Sequence, residues 1–210
     1  MSSERYFDEV AERWDVLQAS FFSDAVRDRA IAAAGVKAGT LAADIGAGTG
    51  FIAQGLIKAA VRVIAVDQSQ AMLDELQKKF ADSPLVETRL GSGDAIPIPD
   101  RTVDYAFANM YLHHVDHPQQ AIKEMARILM PGGTLVITDM DEHDAEFLRA
   151  EHHDRWLGFR RSDLHTWLER AGLECVSVVS TNERCASSSS AGSATATIGI
   201  FLASGKKPAG

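Results

Sequence analysis

The chain has 210 residues, 46% hydrophobic and 24% charged, the balance of one globular α/β domain with or without a small cap. A net charge of −8 without a lysine or arginine cluster disfavours a nucleic-acid substrate, and no apolar run approaches the roughly 20 residues of a membrane span. Two cysteines, Cys175 and Cys185, lack CxxC spacing and disfavour a disulfide framework or a cysteine-based zinc site. The charged opening MSSERYFDEVAERWD lacks the apolar core of a signal peptide, so a cytoplasmic location is expected.

In chain order, Tyr6 to Leu17 is amphipathic, and Ser23 to Gly35 is predicted as a helix capped by Ser23 and ended by Gly35. LAADI at 41–45 is a strand candidate, followed by GAGTG and a helix over 51–60. VRVIAV at 61–66 is a second strand, stopped by Asp67; Ser69 caps the next helix, with Met72, Leu73, Leu76 and Phe80 on one face. Further strands are predicted at 85–90, 103–108 and 134–139, the last two separated by a helix over 118–129 with Pro118 in its first turn and MPGG ending it. A helix over 162–171 precedes strands at 174–180 and 197–203, which join as an antiparallel hairpin through a flexible polar loop, ASSSSAGSAT. Cys175 then falls in a core strand. The alternation predicts a doubly wound α/β fold: a mostly parallel sheet with helices on both faces. The expected organisation is one domain, with a helical cap at 1–34, a Rossmann-like core at 35–205 and a flexible tail at 206–210.

The local feature that carries chemistry is Asp44-Ile45-Gly46-Ala47-Gly48-Thr49-Gly50, leaving a strand and opening a helix. Glycines there permit a tight turn and let a ligand approach the backbone. The spacing is GxGxG; Phe51 stands where the third glycine of a dinucleotide fingerprint would fall, and no GK[ST] follows to make a P-loop. Asp67 ends the second strand about 20 residues on, where a carboxylate can accept hydrogen bonds from both hydroxyls of a ribose. Together they imply an adenosine ligand without strong phosphate anchoring. Plain readings, a tight turn and a solvated strand-end acid, compete with each.

DIGAGTG, AVDQS, GDAIPIPDRTVDYAFANMYLHHV and RILMPGGTLVITD occur in that order. The set resembles the class I S-adenosylmethionine-dependent methyltransferases, in particular the type 11 branch that includes the ubiquinone and menaquinone methyltransferases, over roughly residues 40–140. The resemblance implies a seven-stranded sheet with the last strand antiparallel, which agrees with the strand count above. It implies that Asp44 and the turn Gly46, Ala47, Gly48 and Gly50 hold the methionine part of S-adenosyl-L-methionine. Asp67 would bind the ribose, with Gln68 and Met72 near the adenosine. Asp94 would accept from the adenine amino group beside Ala95, and Asn109 would line the methyl-transfer mouth. Tyr6, Phe7 and Trp14 resemble a cap that folds over the cofactor. Residues 150–173 resemble methyltransferases sometimes fused to metal-sensing repressor domains, and no such domain is present in this sequence.

His113, His114 and His117 cluster, as do His152 and His153 beside Glu151 and Asp154. Their spacing could bind a metal; a packing or polar role is expected instead, and no metal site is assigned. Candidate catalytic residues are His114, His113 and Asp139, near the ends of the fourth and fifth strands. The acceptor is expected to be a small molecule. Arsenite is not expected, because it wants several thiolates. Two alternatives remain: a non-catalytic regulator binding S-adenosylmethionine or S-adenosylhomocysteine, and a nucleotide-dependent oxidoreductase, which Phe51 opposes.

Overall fold

A computed structural model describes residues 3–189, 192 and 194–209. Helices α1 (Ser3–Val10) and α2 (Trp14–Phe21) lead into α3 (Ala25–Ala34), β1 (Leu41–Ile45), α4 (Phe51–Lys58), β2 (Arg62–Asp67), α5 (Gln70–Lys79) and β3 (Val86–Leu90). Then come β4 (Val103–Asn109), α6 (Pro118–Ile128), β5 (Leu129–Met140), α7 (Phe147–Glu151), α8 (Arg161–Arg170), β6 (Glu174–Ser188) and β7 (Thr195–Lys206). The seven strands lie in the order β3-β2-β1-β4-β5-β7-β6. β7 runs antiparallel to both neighbours, and the other strand pairs are parallel.

Side chains alternate across a strand, and the sheet is covered on both faces. Ala42, Val63, Ala65 and Phe107 pack against Ala30 of α3, Ile52 and Leu56 of α4 and Leu76 of α5. Ala43, Ile64, Val66 and Ala106 face the other way, onto Ile122 and Met125 of α6 and Leu164 and Leu168 of α8. Burial on both faces explains why β1 and β2 read as continuous apolar runs rather than alternating ones. Leu56 is fully buried; truncating such a side chain to alanine costs about 2–5 kcal/mol. Ser69 caps α5 as expected, its Oγ accepting from the Met72 N–H at 3.1 Å. Gly35 ends α3 at φ 62, a conformation open to glycine without strain.

The structure corrects several local expectations. The stretch 6–17 is two helices, because the chain tightens to a 3-10 turn over Ala11–Arg13. α3 begins at Ala25 without a side-chain cap on its N-cap residue Asp24; Ser23 Oγ instead accepts from the Ala25 N–H at 3.3 Å. Met130-Pro131-Gly132-Gly133 is an excursion within β5, whose pairing with β4 jumps from Val103↔Leu129 to Tyr105↔Thr134. The polar stretch 186–195 is strand at both its ends, with Ala186, Ser187 and Ser188 paired to Thr197, Ala196 and Thr195. Its positions 190, 191 and 193 lie outside the described residues. Cys175 is exposed, not in the core, because it sits at φ 52 within a register shift of β6.

The tail is held where it was expected to be loose. Lys206 still belongs to β7. Lys207 Nζ donates to the carbonyls of Ala126, Arg127 and Leu129 at 2.9, 3.0 and 2.8 Å. Those carbonyls cluster at the C-terminal end of α6, where a cation is favoured.

Candidate active site

The C-terminal ends of β1, β2 and β4 converge beneath the N-terminal helices. Gly46, Gly48 and Gly50 all take positive φ, 70, 52 and 90°. At Gly46 the need for glycine is also steric, since a Cβ there would lie 2.1 Å from Cδ2 of Tyr111. Tyr111 spans from this turn to Gly93, whose N–H donates to its hydroxyl at 2.9 Å. Asp67, at the end of β2, is tied on both oxygens: Oδ2 accepts from the Gly48 N–H at 2.8 Å and Oδ1 from the Ser69 N–H at 3.0 Å. Burial pushes its pKa up, against those hydrogen bonds. Asp44 is 1% exposed. It accepts from the Ala53 N–H at 3.1 Å, and burial raises its carboxyl to about 7.

Two cavities of about 60 Å³ each adjoin here. The first is walled by Gly46, Ala47, Gly48, Asp67, Gln68, Met72 and Asn109, seven of the residues singled out from the sequence. Asp44, Gly50, Asp94 and Ala95 are not on its wall. Asp44 lies beneath the turn, fastening β1 to α4. Asp94 Oδ1 is buried and has no hydrogen-bond partner among the described residues.

The second cavity is apolar apart from one polar corner. Tyr6, Phe21, Met140 and Leu148 belong to it alone, while Phe7, Trp14, Phe22, Met110 and His114 are shared with the first. The N-terminal helices form its roof. They are latched by Asp15, which accepts from Thr49 Oγ1 at 2.5 Å and pairs with Lys79 at 2.7 Å. Asp8 adds a contact with Ser69 Oγ at 2.5 Å.

The polar corner holds His113 and His114, two of the three residues proposed for chemistry. His113 Nδ1 lies 2.7 Å from Asp139 Oδ1. Burial works against the charge on His113, but the Asp139 and Asp154 carboxylates outweigh it and raise its pKa. His114, 11% exposed in its side chain, is driven well below its ordinary value by burial and by His113. Asp154, from the turn after α7, is raised to about 6 by burial, with His113 opposing. His113 and His114 thus reach the second cavity, while Asp139 sits behind His113 and off both cavity walls. Sequence reading missed Met110, Tyr111 and Cys185. Met110 carried a signal in its place directly after Asn109; its φ of 49° turns it between the two cavities. Cys185, whose thiol burial pushes up to about 12, had none, because β6 brings it in from far along the chain.

Residues 43–137 match the family described as methyltransferase domain. The demethylmenaquinone methyltransferase of Tropheryma whipplei is 32% identical over 147 residues, covering 69% of this chain and 61% of that protein. The chain spans about a third of the length of several other curated relatives it matches. Among solved structures, a chain of the complex between the Haloferax volcanii Trm112 methyltransferase activator and a methyltransferase superposes with a TM-score of 0.79 at 21% identity, covering 99% of this chain and 98% of that one. The [4+2]-cyclase SpnF superposes equally well, 0.79 at 16% identity, covering 99% and 95%. The seven-stranded fold is therefore shared by enzymes of different chemistry.

Proposed function

The chain carries the methyltransferase domain of the class I S-adenosylmethionine-dependent family, and we propose that it transfers a methyl group from S-adenosylmethionine to a small, largely apolar acceptor. The observation that carries this reading is the pair of adjoining cavities with a common wall at Met110 and His114. A two-substrate transfer needs two such sites in contact.

The residues present fit the cofactor. Asp67 offers a carboxylate for the ribose hydroxyls, and Asp94 Oδ1, buried without a partner among the described residues, suits the amino group of an adenine. The Gly46–Gly50 turn admits a ligand to the backbone at the start of α4, where N–H groups favour a carboxylate. Asp44, beneath the turn, favours an ammonium. Asn109, which accepts from Thr138 Oγ1 at 2.8 Å, lines the first cavity and precedes Met110 of the shared wall. When bound, S-adenosylmethionine supplies an activated methyl whose leaving group is a neutral thioether.

The protein's task is then to hold an acceptor in line, and such positioning can supply up to about 7–11 kcal/mol. Phe7, Trp14 and Phe22 exclude water from both sides of the shared wall. A base adds about 10²–10⁴-fold where the acceptor must lose a proton. His114, low in pKa and facing the cavity, is the group suited to take it; His113, held by Asp139, supports it. The apolar lining favours a phenol- or quinol-like acceptor over a polar one, and the acidic chain does not favour nucleic acid. Among the described residues no helix is long and apolar enough to cross a membrane.

A thermal-shift screen tests the cofactor. S-adenosylhomocysteine at 100 times its Kd stabilises by about 2.7 kcal/mol, or roughly 5–10 °C for a chain of this size, whereas NAD leaves the melting temperature unchanged. Stabilisation by NAD and not by S-adenosylhomocysteine overturns the reading. Activity with pooled phenol, quinol and thiol acceptors then identifies the second substrate.

A further inference from the structure

We propose that His113, His114 and Asp154 form a binding site for one divalent transition-metal ion of the zinc or ferrous class, with its open coordination position toward the apolar cavity. One donor atom from each residue lies within 4.8 Å of the other two. His113 Nε2 is 3.8 Å and His114 Nδ1 is 3.9 Å from Asp154 Oδ1, too far to be hydrogen bonds. The three groups are gathered without bonding one another. Metal bonds of about 2.0–2.2 Å space tetrahedral donors roughly 3.3–3.5 Å apart, so each imidazole–carboxylate distance shortens by about half an ångström on binding, and the two imidazole nitrogens close from a separation within 4.8 Å.

Two further observations point to a ligand. Asp154 Oδ2 and His114 Nδ1 are buried and have no hydrogen-bond partner among the described residues, and the Asp154 side chain is 2% exposed. An unmatched carboxylate oxygen at that depth is unfavourable unless something cationic meets it. Behind the cluster, Asp139 holds His113 Nδ1 at 2.7 Å and itself accepts from the Met140 N–H at 2.7 Å. That fixes the imidazole with Nε2 turned toward Asp154. A carboxylate behind the far nitrogen is how metal-ligating histidines are commonly oriented.

The backbone serves the same end. His153 adopts φ 59° immediately before Asp154, a strained conformation for a side-chain-bearing residue, and the turn it makes delivers the carboxylate. His152 stays outside the donor set, its nitrogens facing Tyr6 Oη at 3.3 Å and Ser187 Oγ at 3.4 Å. Two imidazoles and one carboxylate suit zinc, ferrous iron or manganese rather than a thiolate-seeking ion. A dication also balances the two carboxylates buried here, Asp139 and Asp154. Three protein donors leave a position for water or, on the methyl-transfer reading, for a hydroxyl oxygen of the acceptor, which the ion would acidify in place of His114 acting as the base.

The test is a cobalt(II) titration of the chelator-treated full chain, followed by its visible absorption. One equivalent binds saturably, zinc displaces it, and Asp154→Asn and His114→Ala each weaken it at least 100-fold. Asp139→Asn weakens it about 10–100-fold, as for a group that orients a ligand. His165→Ala, altering a half-exposed histidine on α8, leaves it unchanged. Circular dichroism and S-adenosylhomocysteine calorimetry on the same samples establish that each variant is folded; His114→Gln replaces any that is not. Absence of a one-equivalent cobalt band, or its survival in Asp154→Asn, overturns the site. Intact S-adenosylhomocysteine binding beside a missing band refutes the metal alone, and a band without S-adenosylhomocysteine binding refutes the methyl-transfer reading alone.

Discussion

Asp15 of α2 accepts a hydrogen bond from Thr49 Oγ1 at 2.5 Å, which ties the helical roof to the glycine turn beneath it. The same helices supply Phe7 and Trp14 to the walls of both cavities. On the methyl-transfer reading these helices are a lid, which opens to admit the adenosyl compound and closes over it.

Breaking the latch shifts that equilibrium. Asp15→Ala removes a charged hydrogen bond of about 1.5–3 kcal/mol and exposes residues 5–21 to protease. Limited proteolysis with and without S-adenosylhomocysteine reads the result: the ligand slows cleavage of the wild type, and the variant is cut faster in both states. Identical digestion patterns throughout mean that the helices are a static wall.

Asp67→Ala weakens S-adenosylhomocysteine by about 1.5–3 kcal/mol, the range for a hydrogen bond to a charged group. It also frees the Gly48 and Ser69 N–H groups that Asp67 holds, so the melting temperature falls as well. Calorimetry that finds unchanged affinity removes Asp67 from the cofactor site.

Asp44 gives a pH dependence with a definite sign. Its carboxyl is raised from 3.8 to about 7 by burial, so between those values the native state keeps a proton that the unfolded chain has lost. Its contribution to stability is fully present below pH 4 and is lost as pH rises through 7, by up to about 1.4 kcal/mol per unit. Asp44→Asn removes this slope. Urea unfolding of both proteins from pH 5 to 7.5 measures the difference; parallel curves mean that Asp44 does not titrate there.

Lys207→Met leaves three carbonyls at the end of α6 without their cation. A loss of about 2 kcal/mol follows from the charged hydrogen bonds, or roughly 4–8 °C in melting temperature. A variant melting with the wild type shows that the lysine is solvated and the tail loose.

The sequence was informative wherever function and local geometry coincide. The GxGxG turn, Asp67 at a strand end and Asn109 at another are consequences of strand-to-helix connections a few residues long, and seven of the residues they singled out do share one cavity wall. Strand count and the terminal hairpin were legible for the same reason: short-range periodicity records which faces are buried. Four positions did not reach that wall, Asp44, Gly50, Asp94 and Ala95, because local order along the chain does not say which side of a turn faces a cavity.

What tertiary structure decided lies in the pairs that are distant in sequence. The roof became two helices latched by Asp15 to Thr49. Ser187 and Cys185, on a stretch with no periodic signal, were drawn into the second cavity by their pairing with β7. Lys207 found its acceptors at the end of a helix some eighty residues earlier. The histidines at 113 and 114 gained their meaning from Asp139 and Asp154, which arrive on a different strand and a different turn. A sequence registers the preferences of neighbouring residues. Which carboxylate meets which imidazole depends on closing long loops around a packed core, where the desolvation of each polar group is settled only once all its neighbours are in place.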